Sequence, residues 1–170
     1  MTSAADRRLY CVLAVVVLVL DQITKFVAEA GLPRFTGVPV IGEWFQLRLV
    51  YNQGAAFGMH IGPFSRIFFG VVALVAIGIL TRMAWTSQAG DRFRMVALGL
   101  VAGGAAGNFI DRVRSARGVV DFLDVGVGDL RWPTFNVADI AVSCGAVALA
   151  LSLWREDTRR SEEAGRAPVA

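Results

Sequence analysis

Four stretches of this chain, Leu9 to Ala28, Phe64 to Trp85, Met95 to Arg112 and Asn136 to Trp154, are long and apolar, yet none is free of polar residues. A helix needs roughly 20 predominantly apolar residues to cross a bilayer. Inside hydrocarbon every backbone N–H and C=O must find its partner within the span, so such a stretch has to be helical. The expected fold is therefore an α-helical integral membrane protein with four transmembrane helices. Composition agrees: 55% of the 170 residues are hydrophobic and 18% charged, too apolar a balance for an ordinary soluble domain.

The polar residues within the spans need a separate explanation, because buried charge is costly in a membrane and tends to mark function. The first span carries Asp21 and Lys25 at the i, i+4 spacing of a helical ion pair. The third has Gly99, Gly103 and Gly107 four residues apart, a small-residue face on which another helix can lie close. Next to that face, Gly104, Asn108, Asp111 and Arg112 fall near the end of the same helix. In the fourth, Pro133 suits the approach to a helix, Thr134 or Asn136 can cap it, and Asp139 then lies in its first turn.

Between the first two spans, Phe45, Leu47 and Leu49 alternate with Gln46, Arg48 and Val50, the pattern of a half-buried strand. The turn-prone stretch "NQGAAFG" (Asn52 to Gly58) follows. The reading is a small extracytoplasmic β-rich loop region able to offer backbone groups to an extended peptide. Asp121, in "GVVDF", has apolar company for an acid; were its segment to fold against the fourth helix, Asp121 and Asp139 would meet at the membrane surface. Two close carboxylates share a proton and together can activate water. Asp124 and Asp129 read as solvated loop acids.

Other chemistries have less to stand on. Arginines scattered along the chain give a net charge of +3 without a basic run or aromatic platform, so nucleic acid is not an expected partner. Cys11 and Cys144 lie in apolar runs without a ligand pattern and read as buried small hydrophobes, and His60 is the one histidine. Arg7, Arg8 and "AEA" at Ala28 to Ala30 resemble a cleavable leader, but Asp21 and Lys25 interrupt it and the later spans favour a retained anchor. Asp121 and Asp124 at DxxD spacing allow a metal-dependent membrane lipid enzyme, and a non-enzymatic four-helix membrane protein is the other rival. Basic residues nearly tie across the two sides; the short "QAGDRFR" turn and both termini are placed in the cytoplasm.

Together "DQITK" (Asp21 to Lys25), "NQGAAFG", "GGAAGNFIDR" (Gly103 to Arg112), "VVDF" (Val119 to Phe122) and "FNVAD" (Phe135 to Asp139) resemble the bacterial lipoprotein signal peptidases, signal peptidase II. The resemblance implies an aspartic endopeptidase of the bacterial cytoplasmic membrane. Such an enzyme removes signal peptides from prolipoproteins N-terminal to a diacylglyceryl-modified cysteine, with Asp121 and Asp139 as its catalytic pair. It further implies supporting or substrate-binding roles for Asp21, Lys25, Asn52, Gly54, Asn108, Asp111, Arg112 and Asn136, no metal or other cofactor, and globomycin-type inhibitors. The expected organisation is a single peptidase domain over residues 1–154, acting as a monomer among membrane lipids near the extracytoplasmic face, with a disordered polar cytoplasmic tail over 155–170.

Overall fold

In a computed structural model that describes residues 2–54 and 62–166, four helices are long and apolar enough to cross a membrane. In chain order the elements are α1 (Ala4–Gly31), β1 (Val38–Ile41), β2 (Phe45–Asn52), a 3-10 turn (Gly62–Phe64), α2 (Ser65–Thr86), α3 (Arg92–Arg114), β3 (Val119–Val127), β4 (Leu130–Arg131) and α4 (Val137–Arg166). Helix α3 is the hub and packs against α1, α2 and α4. The others turn long apolar surfaces outward, as with Phe26, Val71, Leu74 and Val147, each more than half exposed. Outward apolar surface on every span is what a lipid solvent permits and water does not.

The glycines of α3 explain why it sits at the centre. A Cβ at Gly103 would stand 2.6 Å from the Ala14 carbonyl oxygen of α1, and one at Gly99 would meet the Tyr10 carbonyl at 3.0 Å. Gly107 faces Asp21 of the same helix, so all three glycines of the four-residue repeat receive α1. The small-residue face is thus filled within the chain. Gly104 turns the other way, its missing Cβ 2.5 Å from the Ala138 carbonyl at the start of α4. We expect Gly104→Ala to push that turn of α4 away; the overpacking costs about 1–3 kcal/mol, only partly offset by better helix propensity. A thermal midpoint lowered by roughly 4 °C in detergent would report it.

At one end of the bundle lies an antiparallel sheet of order β1-β2-β3-β4. Strand β2 coincides with the alternating stretch recognised in the sequence, and Leu49 is its buried member. Strand β3, not anticipated as a strand, pairs with β2 from Phe45↔Val125 to Asn52↔Val119, with a bulge between Leu47 and Val50. The chain then returns through a strap at 132–136. Phe135 accepts the N–H groups of Phe122 (3.0 Å) and Leu123 (2.8 Å) and donates to the Leu123 carbonyl at 3.0 Å. That strap fixes the start of α4 beside β3.

At the opposite end the helices are tied by Thr2, whose hydroxyl lies 2.7 Å from the Ala84 carbonyl, and by the buried Tyr10 hydroxyl with Thr81 at 2.7 Å. Three expectations change. Helix α4 continues through Arg166 instead of giving way to disorder at residue 155, anchored where Glu156 pairs with Arg94 of α3. Cys11 and Cys144 are exposed on the helix surfaces, not buried: their apolar neighbours mark a lipid-facing surface as readily as a core. Helix α1 runs unbroken through Gly31, so the leader-like "AEA" is helical.

Candidate active site

The start of α4 aims one of the two acids. Asn136 is the capping residue: its side-chain oxygen accepts the Asp139 N–H at 2.9 Å, while the Asp139 carboxylate accepts the Asn136 N–H at 3.1 Å. This reciprocal arrangement satisfies otherwise orphaned helix-end donors and fixes the Asp139 side chain. Its other oxygen accepts from the Asn108 amide at 2.8 Å. Asp121 arrives from β3, where it stands opposite Val50, and accepts from the Asn136 amide at 2.7 Å. One asparagine thus touches both carboxylates, Asp121 through its side chain and Asp139 through its backbone.

Behind this pair lies a buried charge cluster. Lys25, fully buried, contacts Asp21 at 2.8 Å, Asp111 at 2.9 Å and the Asn108 side-chain oxygen at 2.8 Å. The ammonium therefore sets the Asn108 amide so that its NH2 must face Asp139. Asp21 also accepts the Ala138 N–H at 2.9 Å, and Asp111 the Val120 N–H at 3.1 Å. Each aspartate of the cluster thereby holds the backbone next to one of the paired acids. The Asp21–Lys25 pair expected on the helix is present, and it also supports the polar centre.

Asp111 and Arg112 project differently. Arg112 donates to the Asn108 carbonyl at 3.0 Å and to the Gly54 carbonyl at 2.9 Å, holding the turn after β2. Asn52 accepts the Gly54 N–H at 3.0 Å and its side chain also bonds Asp121. The remainder of "NQGAAFG" after Gly54, and His60, lie outside the described residues. A cavity of about 510 Å3 is lined by Asn52, Asn108, Arg112, Asp121 and Asp139 on its polar side and by Phe135, Ile140 and Val142 among its apolar residues. A second cavity, of about 420 Å3, shares Asn52, Asp121, Pro133 and Thr134 with it and runs along β2 to Val50.

Asp121 is 2% exposed. Burial, reinforced by the charge of Asp139 and opposed by the hydrogen bonds from Asn52 and Asn136, pushes its carboxyl up from 3.8 to about 7. An acid in that state holds its proton at pH values where an ordinary aspartate has lost it.

Asp124 departs from the solvated loop acid read from sequence. It is buried on β3 and paired with Arg131 of β4 at 2.8 Å, so it fastens the hairpin and does not join Asp121 in a DxxD site. Asp129 is exposed in the turn between those strands. Three contributors were missed. Gln22 donates to Asp111 at 3.2 Å and to the Gly107 carbonyl at 3.3 Å. Arg66 donates to the Arg112 carbonyl at 3.2 Å. Glu29 accepts from Tyr51 at 3.1 Å, Arg114 at 3.0 Å and Arg117 at 3.3 Å, binding the sheet to α1 and α3. Gln22 was visible inside "DQITK"; the long-range partners of Glu29 left no local signal.

Residues 13–155 match the family model described as signal peptidase (SPase) II. The lipoprotein signal peptidase of Syntrophus aciditrophicus is 36% identical over 90% of this chain and 96% of its own length. That of Maridesulfovibrio salexigens is 40% identical over 85% and 94%. A solved structure described as a bacterial membrane enzyme superposes with a TM-score of 0.80 at 28% identity, covering 95% of this chain and 94% of that one. Family match, relatives and fold coincide along nearly the whole chain, which therefore belongs to the lipoprotein signal peptidases, the signal peptidase II family of proteases.

Proposed function

We propose that this protein is an aspartic endopeptidase that cleaves bacterial prolipoproteins N-terminal to the diacylglyceryl-modified cysteine. The observation that carries the reading is the meeting of Asp121 and Asp139, from β3 and α4, around Asn136 at a cavity bordered by apolar residues of α4. With one proton shared between them, the pair holds a water as base and donates a hydrogen bond to the scissile carbonyl. The proton belongs to the pair, so neither acid is assigned a separate role. The elongated space beside β2 suits an extended peptide, and the apolar side of the cavity suits the lipid of the modified cysteine. Arg112, Asn52 and Gly54 border the place where the peptide would lie, while Asp21, Lys25, Asn108, Asp111 and Asn136 keep the two acids in position.

In this reading residues 1–154 act as one peptidase domain and as a monomer, and no metal takes part. Both termini lie in the cytoplasm, with the sheet at the extracytoplasmic face. Globomycin-type cyclic peptides would compete for the same space as the substrate peptide. The experiment is cleavage of a diacylglyceryl-modified precursor and its unlipidated counterpart by the purified protein, with and without EDTA. Cleavage of the lipidated form alone, unaffected by EDTA, is expected; equal cleavage of both precursors removes the lipid requirement, and EDTA inhibition reversed by magnesium removes the two-aspartate mechanism.

The raised pKa of Asp121 gives the pH dependence a sign. Below about 7 the carboxyl keeps its proton, and above it the pair loses the proton it must share. The alkaline limb of kcat/KM should bend down near pH 7 and approach a tenfold fall per pH unit. A rate flat from pH 6 to 9 would contradict a shared proton with this affinity.

A further inference from the structure

At the end of the bundle remote from the sheet, a crevice of about 720 Å3 lies between the α2–α3 turn and the last turns of α4. Phe93, Ser152, Trp154, Arg155, Thr158 and Arg159 are among its lining residues. Asp91, which also lines the crevice, and Glu156 are already engaged. Asp91 caps α3 by accepting the Arg94 N–H at 3.1 Å, and Glu156 pairs with Arg94 and Arg160. Among the described residues, Arg155 and Arg159 have no carboxylate within ion-pair reach, although Arg155 lies 5.3 Å from the centre of the Phe93 ring. They line the crevice one helical turn apart, whereas the hydroxyl of Thr158 beside them already donates to the Trp154 carbonyl at 3.0 Å.

We propose that this crevice binds the headgroup of an anionic glycerophospholipid. Arg155 and Arg159 would grip the phosphate, since guanidinium groups match phosphate geometry with paired donors. The location favours a lipid over a soluble anion. The crevice opens at the ends of bilayer-crossing helices, and Trp154 and Phe93, 67% and 42% exposed, flank it at the level where aromatic side chains sit among headgroups. Basic pockets between transmembrane helices are a recurrent means of holding anionic headgroups. None of these residues belongs to the polar centre at the other end, so the site does not depend on the peptidase reading.

The test uses the full chain in a neutral detergent, following the thermal midpoint as phosphatidylglycerol, phosphatidylcholine of the same acyl chains, or inorganic phosphate is added. Phosphatidylglycerol should raise the midpoint by roughly 4 °C, the shift expected of a ligand well above its dissociation constant. Phosphatidylcholine and inorganic phosphate should raise it by less than half as much. In the Arg155→Gln/Arg159→Gln variant that rise should shrink at least twofold while the lipid-free midpoint stays put. Arg7→Gln/Arg8→Gln, which removes two exposed charges from the same end of the bundle, should keep it. Equal rises with both lipids, an equal rise with inorganic phosphate, an unchanged rise in the Arg155/Arg159 variant, a changed lipid-free midpoint there, or an equal loss in the Arg7/Arg8 variant would each overturn the proposal.

Discussion

Asp121→Asn and Asp139→Asn are each expected to lower cleavage of a lipidated precursor by a factor on the order of 10^3 or more while the protein still accumulates in the membrane. An amide can neither take the proton from water nor share one with its neighbour, and losing a positioned acid–base group costs about 10^2–10^4-fold before loss of the partnership is counted. Folding should respond differently at the two positions. Asp121 is raised from 3.8 to about 7 in the fold, so the native protein binds more protons than the unfolded chain between those values and stability falls as pH rises through them. Asp121→Asn removes that fall, which outweighs the one amide donor, from Asn52 or Asn136, that it can no longer accept, and should be no less stable than the parent at pH 8. Asp139 accepts from both Asn108 and Asn136, and an amide must present its NH2 to one of these donors. A stability loss of about 1 kcal/mol is expected from that mismatch. Cleavage within tenfold of the parent in either variant would sink the pair.

The largest effect on folding is expected at Lys25. Its ammonium is the shared counter-ion of Asp21 and Asp111, and all three side chains are fully buried. Lys25→Met leaves two carboxylates facing each other without their cation, and stranding buried charge in this way costs about 3–5 kcal/mol. For a chain of this size that lowers the thermal midpoint by roughly 10 °C or more, with a matching fall in the amount recovered from membranes. Lys25→Met/Asp21→Asn should recover part of the loss. In that variant Asp111 still holds the Val120 N–H, the Gln22 amide and Arg114 at 3.7 Å. A single variant as stable as the parent would mean that the cluster is held by packing and not by charge.

The parts legible in the sequence were those whose partners are local or whose pattern is periodic. The four spans follow from length and hydropathy, β2 from its alternation, the α4 cap from Asn136 and Asp139 three residues apart, and the Asp21–Lys25 pair from helical spacing. Strand β3 did not stand out because Val119, Val120, Asp121 and Phe122 are buried on both faces, which erases alternation. Asp124 was misread because its partner Arg131 becomes a neighbour only when β4 folds back on β3. The helical end of α4 was misread because composition does not reveal that Arg94, far earlier in the chain, holds Glu156. That Asp121 and Asp139 approach one another rests on the strap at Phe135 and on Asn136, contacts no spacing rule supplies.

The hydrogen bond from the Ala138 N–H to Asp21 joins residues separated by 117 positions. A ribosome releases Asp21 early and Ala138 late, so a chain that has emerged only as far as β3 contains α1 to α3 yet lacks both α4 and the contact that seats its first turn. Under the proposed mechanism the protein is born without activity. Its competence as a protease arrives with the insertion of α4, which carries Asp139.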